Sequence, residues 1–556
     1  MGLRHTNRRL RTSVGFVLFS LVLLLSRAVY IQVVQGAEYS QAADRQYLRE
    51  VEMPALRGLI YDREGAQLAV SEKAAMVVAN PHQVEGAQET AKQLSPVLGM
   101  PEQDILPALQ ADKGFSYVAR KVERSVAERA LSLKLPGIQV RPEDKRVYPK
   151  GTLAPQLLGY VGNENKGLAG LELEYNEVLA GDSGERKYIG DRTGRSLDIL
   201  IDQGGREGHS LTLTLDEDIQ WQAEQVLLET VQKYGAKRAT AVVLDPTTGE
   251  VLAMANAPLF DANRYSETDP ALWRNMAVTD QYEPGSTFKL VTVAAALERG
   301  LVTPETKLRL QRTIKVWDKE VGEAHSDGLP LIRNLSVTQI LAQSSNVGTI
   351  TLGKMVKKEG LLDMARRFGF GEKTGIDFPG EVRGDIPPAD KWSGTTIANL
   401  PIGQGVAVTP LQLAVAYAAI ANDGVLMQPY LVENKHVKTP SHRVVSSEVA
   451  AQLRQMLTDT VSDGTGHAAK VPGYVVAGKT GTAEKPKEHG RGYDTDRVVA
   501  SFVGMVPASD PRLVILVCID EPTLQHLGGA VAAPAFAKIA DFALKHLEIP
   551  PERPAK

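Results

Sequence analysis

A chain of 556 residues with 43% hydrophobic residues has room for two or more domains with sizeable cores. Its net charge of -3, with no basic run beyond the N-terminus, excludes a broadly electrostatic nucleic-acid binder. A single cysteine rules out an intrachain disulfide, and ten histidines without ligand-like spacing predict no metal site.

Arg4, Arg8, Arg9 and Arg11 precede an apolar run from Val14 to Leu25 broken only by Gly15 and Ser20, and the apolar character resumes after Arg27 through Val34. Residues 13–34 suffice to cross about 30 Å of hydrocarbon as one helix. The basic tail, residues 1–12, then stays in the cytoplasm, and Arg27 snorkels to the far interface. A cleaved signal peptide is the alternative, with Val34-Gln35-Gly36 as its site. The stretch outruns a usual signal core, which favours the uncleaved anchor; either way the remainder is exported.

Residues 35–207 mix short strands and turns without a catalytic cluster. Arg57-Gly58-Leu59-Ile60-Tyr61-Asp62-Arg63-Glu64-Gly65 reads as strand, turn, strand. Charged residues in this region are expected to be solvated or to pin loops. From His209 the pattern changes. Residues 210–215 alternate at period two, a helical stretch runs to about Tyr234, and two apolar runs flank Pro246-Thr247-Thr248-Gly249-Glu250 as a hairpin. A second domain, residues 208–548, begins here, followed by a short tail, 549–556.

In Glu283-Pro284-Gly285-Ser286-Thr287-Phe288-Lys289, the Pro-Gly turn leads into an Ala- and Leu-rich helix that stops at Gly300. Ser286 is thereby expected at a helix N-terminus, where unpaired N–H groups favour a developing alkoxide. Lys289 projects from the same face, and apolar neighbours would lower its pKa and make it a base for the serine. Further on, Ser344 and Asn346 flank one residue in a helix-compatible stretch. By itself that pattern serves as well for caps and loop hydrogen bonds.

Tyr474-Val475-Val476-Ala477-Gly478-Lys479-Thr480-Gly481-Thr482 is strand-like, then small, leaving a backbone that a peptide can approach and add to. Lys479, Thr480 and Thr482 suit a carboxylate on that peptide. Gly473 to Thr480 also fits the nucleotide-binding pattern G-x-x-x-x-G-K-[ST]. Its context is wrong, since Lys470-Val471-Pro472 precedes it and Gly481 interrupts at once. Two strand patterns, 498–506 and 513–519, follow a polar loop at 485–497, and an Ala-rich helix spans about 531–547. Cys518 lies in the second strand as a packed small hydrophobe. The fold class is α+β, an antiparallel sheet with helices packed on it.

S-x-x-K, S-x-N and K-T-G in that order mark penicillin-binding proteins and class A β-lactamases, whose middle motif is S-D-N. With Gly170-Leu171-Glu172, Ile402-Gly403-Gln404-Gly405 and Thr409-Pro410-Leu411-Gln412, essentially the whole chain resembles class B penicillin-binding proteins, the monofunctional peptidoglycan D,D-transpeptidases. The resemblance implies a membrane-anchored pedestal followed by a penicillin-recognising serine transpeptidase domain that works without a cofactor. It implies a catalytic set of Ser286 as nucleophile, Lys289 as base, Ser344 and Asn346 relaying protons and holding the peptide, and Lys479, which with Thr482 binds the stem peptide's terminal carboxylate, and it implies Thr480, Gly481 and Thr482 as substrate-binding residues. The backbone N–H groups of Ser286 and Thr482 would form the oxyanion hole.

The middle motif reads Ser344-Ser345-Asn346, and no counterpart of the class A deacylating glutamate is evident. Expected partners are stem peptides, β-lactams, the membrane, a multi-spanning glycan polymerase of the shape, elongation, division and sporulation family and other division proteins. Cell-division members look most similar. Elongation and sporulation types, a β-lactamase or D,D-carboxypeptidase, and a membrane penicillin sensor remain alternatives.

Overall fold

The computed structural model describes residues 3–39, 48–53, 55–190, 196–324, 330–433, 439–487 and 492–552. Two compact units result, one of residues 1–56 and 180–208, the other of 57–179 and 209–556.

In the first unit a helix spans Leu3–Val29 and continues as a wider π-turn, Tyr30–Val34. An 18-residue window within its Arg8–Val34 stretch has a mean hydropathy of 2.2, and the stretch is long and apolar enough to cross a membrane. Two hydroxyls within it are satisfied by the helix itself, Thr12 donating to the Arg8 carbonyl at 2.7 Å and Ser20 to that of Phe16 at 2.9 Å. Strand Gly184–Gly190 pairs antiparallel with Leu48–Met53 on one side and Ser196–Gln203 on the other.

In the second unit, residues 57–179 build a small α/β layer. Strand Gln67–Ala79 pairs antiparallel with Ser116–Val122 and Ile138–Val147. Its apolar face packs Val77 against Leu94, Ile105 and Ala127 from three short helices. The expected strand-turn-strand appears as Ile60–Tyr61 pairing with the start of Gln67–Ala79. Three charged residues here are not solvated at all. The Glu172 carboxylate accepts from Arg57 Nε and Arg146 Nε, both at 2.6 Å, with every one of these side chains at most 2% exposed. Arg57 also donates to Asn176 Oδ1 and Arg146 to the Gly58 carbonyl, so the cluster ties four chain segments together.

The larger part is organised on a five-stranded antiparallel sheet of β1 (Arg238–Leu244), β2 (Val251–Ala257), β3 (Ala477–Pro486), β4 (Tyr493–Val506) and β5 (Leu513–Asp520), in the order β2-β1-β5-β4-β3. In β5, Leu513, Ile515, Val517 and Ile519 join one core while Val514, Leu516 and Cys518 join the other. Both faces are covered, which is why the sequence is continuously apolar there instead of alternating. On the first face lie α1 (Glu217–Tyr234), capped by the Asp216 carboxylate, and the closing helix α6 (Gly528–His546).

On the second face α5 (Pro410–Ala421) is buried along its whole length and started by a Thr409–Gln412 capping box. Behind it run α2 (Lys289–Glu298), α3 (Val337–Ala342) and α4 (Asn346–Arg367). The α+β expectation therefore holds. Three boundaries differ. The regular strand near 210–215 is only Leu211–Thr212, because Leu213 and Thr214 turn to pair with Val432 and Leu431. The loop read at 485–497 is shorter, since β3 reaches Pro486 and β4 starts at Tyr493 beyond a register shift at Glu484. The last helix begins at Gly528 and not near 531, its first turn closed by Ala530 and Val531 donating to the Leu527 carbonyl.

Candidate active site

Ser286 was expected at the first turn of an α-helix; it sits instead in a 3₁₀ turn, Gly285–Phe288, that feeds α2. The tighter turn is fixed from below. Thr287 is fully buried and donates to the Pro284 carbonyl at 2.7 Å, Tyr417 donates to the Thr287 carbonyl at 2.9 Å, and Phe288 packs on Phe370. Gly285 has φ +54° and its backbone is so close to Gly403 that a Cβ on Gly403 would lie 2.1 Å from the Gly285 oxygen. With its neighbours riveted, Ser286 is left half-buried on the wall of a cleft of about 920 Å³, its hydroxyl without a hydrogen-bond partner among the described residues.

Lys289 opens α2 and is fully buried beneath that wall. Its Nζ donates to the Ser344 carbonyl at 2.6 Å, to Ser344 Oγ at 3.2 Å and to Asn346 Oδ1 at 2.7 Å. Burial, then the charge of Lys479, push its pKa well below the ordinary lysine value, while Glu323 pulls the other way. Ser344 sits between α3 and α4 with φ +58°, a left-handed turn that brings its carbonyl and hydroxyl onto one amine.

Lys479, Thr480, Gly481 and Thr482 lie in β3, the edge strand of the sheet. Lys479 is fully buried and burial lowers its pKa to about 7. It does not line the cleft; its Nζ donates to the Thr480 carbonyl at 3.2 Å from beneath. The Thr480 hydroxyl contacts that of Thr465 at 2.8 Å, and Thr482 Oγ1 accepts from the Gly528 N–H at 3.0 Å, leaving its own proton free to donate. A Cβ at Gly481 would lie 2.4 Å from Ser501 Oγ, and one at Gly528 would lie 2.1 Å from the Gly481 oxygen, so neither position has room for a side chain. Lys479 in a strand also disposes of the nucleotide pattern, whose lysine opens a helix.

The structure thus places Ser286, Ser344, Asn346, Thr480 and Thr482 on one cleft, with Lys289 and Lys479 under its floor. Residues that sequence reasoning passed over share that cleft, among them Glu283, Glu323, Arg333, Thr465 and His526. Glu283 stood in the leading motif but carried no assigned role; its Oε1 accepts from the Gly405 N–H and the Tyr493 hydroxyl. Glu323 carried no local signal, since its partners Ser345 and Asn346 lie more than twenty residues away.

Residues 239–541 match the penicillin-binding protein transpeptidase domain, and residues 52–213 match the penicillin-binding protein dimerisation domain. The chain belongs to the penicillin-binding transpeptidase family. Stage V sporulation protein D of Bacillus subtilis is 36% identical to this transpeptidase over 99% of its length and 88% of the relative's. The peptidoglycan D,D-transpeptidase FtsI of Escherichia coli K12 is 34% identical over 97% of this chain and 92% of its own. Penicillin-binding protein 3 of Mycobacterium tuberculosis, in its crystal structure with aztreonam, superposes with a TM-score of 0.72 at 32% identity, covering 91% of this chain and 99% of that one. The transpeptidase therefore combines the family's catalytic domain, its pedestal-type dimerisation domain and an N-terminal helix fit to anchor it.

Proposed function

We propose that this chain is a membrane-anchored serine D,D-transpeptidase that cross-links peptidoglycan stem peptides. The observation that carries the reading is a buried, pKa-depressed Lys289 held by Ser344 and Asn346 three residues from an open Ser286 hydroxyl. Neutral Lys289 accepts the Ser286 proton as Oγ attacks the penultimate D-alanine carbonyl. The carbonyl oxygen takes the negative charge against the Ser286 and Thr482 backbone N–H groups, a contribution of about 3 kcal/mol per donor. Ser344 passes a proton to the departing amine, the C–N bond breaks and D-alanine leaves. The amine of a second stem peptide then attacks the ester, returns a proton through the same path and frees Ser286.

The donor's terminal carboxylate lies against Thr480, Gly481 and Thr482, with the Thr482 proton as one donor and the Lys479 charge acting from beneath. A β-lactam enters as the peptide does and remains attached to Ser286 when its ring opens. Binding of aztreonam by the Mycobacterium tuberculosis relative supports this. The proposed division is a tail at 1–12, an anchor at 13–34, a pedestal at 35–207, the transpeptidase domain at 208–548 and a short tail at 549–556, which the two domain matches support.

The septal, division-type role is supported by the likeness to FtsI, and a sporulation-type role by that to Stage V sporulation protein D. In the first, a multi-spanning glycan polymerase and other division proteins are its partners. A fluorescent fusion decides between them: septal localisation in vegetative cells supports the first, and appearance only in sporulating cells the second.

The decisive experiment is intact mass of the full chain in detergent after brief penicillin exposure, with peptide mapping. A persistent adduct on Ser286, lost in Ser286→Ala, is expected. Drug hydrolysis without a lasting adduct points to a β-lactamase and overturns the reading.

A further inference from the structure

The hairpin of strands Thr313–Val316 and Lys319–Gly322 delivers Glu323 to the wall of the cleft. The side chain is 6% exposed, and both of its oxygens are engaged. Oε1 accepts from Ser345 Oγ at 2.6 Å and from Arg333 at 2.5 Å, and Oε2 accepts from the Asn346 backbone N–H at 2.7 Å. One residue earlier, the Gly322 carbonyl accepts from Asn346 Nδ2 at 3.2 Å. An amide whose nitrogen is so held has its oxygen left for Lys289, which donates to it at 2.7 Å. Two consecutive hairpin residues therefore fix both the backbone and the side chain of Asn346.

Charged groups reach Lys289 from only two directions among the described residues. β3 brings Lys479, which disfavours the ammonium form, and the hairpin brings Glu323, which favours it. The Ser344-Ser345-Asn346 turn supplies neutral groups. Arg333, on strand Ile332–Ser336, is the ion partner of Glu323 and faces the same cleft.

We propose that Glu323 is a positioning residue for acylation: it locks the Ser344-Ser345-Asn346 turn against Lys289 and supplies an anion whose charge reaches that amine without touching it. Arg333 sets how much of that negative charge Lys289 experiences. The inference rests on Lys289 acting as the base toward Ser286. Its signature is a pair of opposite effects. Without the Glu323 carboxylate, Lys289 faces Lys479 alone and surrenders its proton more readily; without the Arg333 charge, Glu323 is uncompensated and Lys289 keeps its proton to higher pH.

The test is the second-order rate of Ser286 acylation by a fluorescent penicillin, measured on the full chain in detergent from about pH 5 to about pH 10. In Glu323→Gln the acid limb of the profile moves to lower pH by about half a unit or more, and the plateau falls roughly tenfold. In Arg333→Gln the limb moves to higher pH. Glu323→Asp keeps the charge but not the reach, so its limb stays near that of the unaltered chain while its plateau drops.

Limbs that stay put, or that move the same way in Glu323→Gln and Arg333→Gln, overturn the proposal whatever happens to the plateaus. Near-ultraviolet circular dichroism identifies a Glu323→Gln chain that has not folded, in which case the directions in Arg333→Gln and Glu323→Asp decide. An unaltered chain that forms no adduct on Ser286 removes the proposal together with the reading beneath it.

Discussion

Around Glu172 two guanidiniums close on one carboxylate, with backbone carbonyls and Asn176 accepting from further guanidinium nitrogens. Beneath the cleft, Lys289 and Lys479 are equally buried, yet the groups that touch them are carbonyls, hydroxyls and one amide. In the first cluster charge is matched at contact distance and serves to hold segments together. In the second no carboxylate among the described residues touches either amine, so the lowering of both amine pKa values by burial goes unopposed at contact distance. Burial is common to both; what separates scaffold from chemistry is whether the counterion touches.

The largest expected effect breaks the second cluster. Lys289→Met removes the base, so Ser286 labelling by penicillin slows at least about a thousandfold, while thermal unfolding shows an unchanged or higher midpoint because an amine without a contact counterion gives way to an apolar chain of similar size. A falling midpoint would mean that Lys289 is scaffold like Arg57. Breaking the first cluster has the converse outcome. Glu172→Ala strands two buried guanidiniums and lowers unfolding free energy by about 3–5 kcal/mol, with acylation of the folded fraction within about twofold of the unaltered chain.

The smallest effect is a slope. The Lys479 pKa, about 7 in the fold, lies below its ordinary value, so between these two pH values the unfolded chain binds more protons than the folded one. Stability therefore rises with pH across that window, by up to about 1.4 kcal/mol per unit for one group, and is lowest below it. Denaturant titrations at several pH values should show the slope diminished in Lys479→Met; an equal slope in that variant assigns it elsewhere.

Much of this was legible in the sequence, because it depends on neighbours along the chain. The apolar run of β5, the Gly300 stop after α2 and each of the three ordered motifs declare themselves within a dozen residues. The motif order even brings Ser286, Ser344 and Thr480 to one cleft. What was hidden depends on partners far away. Glu172 meets Arg57 across 115 positions, and nothing near either residue announces it. Ser344 in a left-handed turn, and Ser286 in a 3₁₀ turn, are conformations that tertiary packing imposes on sequence that reads as plain helix. The polar ends of β3 and β4 read as loop because they extend past the covered part of the sheet, where strand residues lose their apolar mark.

β3 has a neighbour on one side only among the described residues. A chain that joins such a margin is gripped by amide N–H and carbonyl groups, which every peptide possesses in the same spacing. Recognition along that margin is consequently blind to the order of side chains in the incoming strand. Discrimination between side chains then falls to the rest of the cleft lining, which includes Glu323, Arg333 and Gln343. An edge of that kind would hold the backbone of any peptide in the same way and leave the reading of its side chains to the remaining lining.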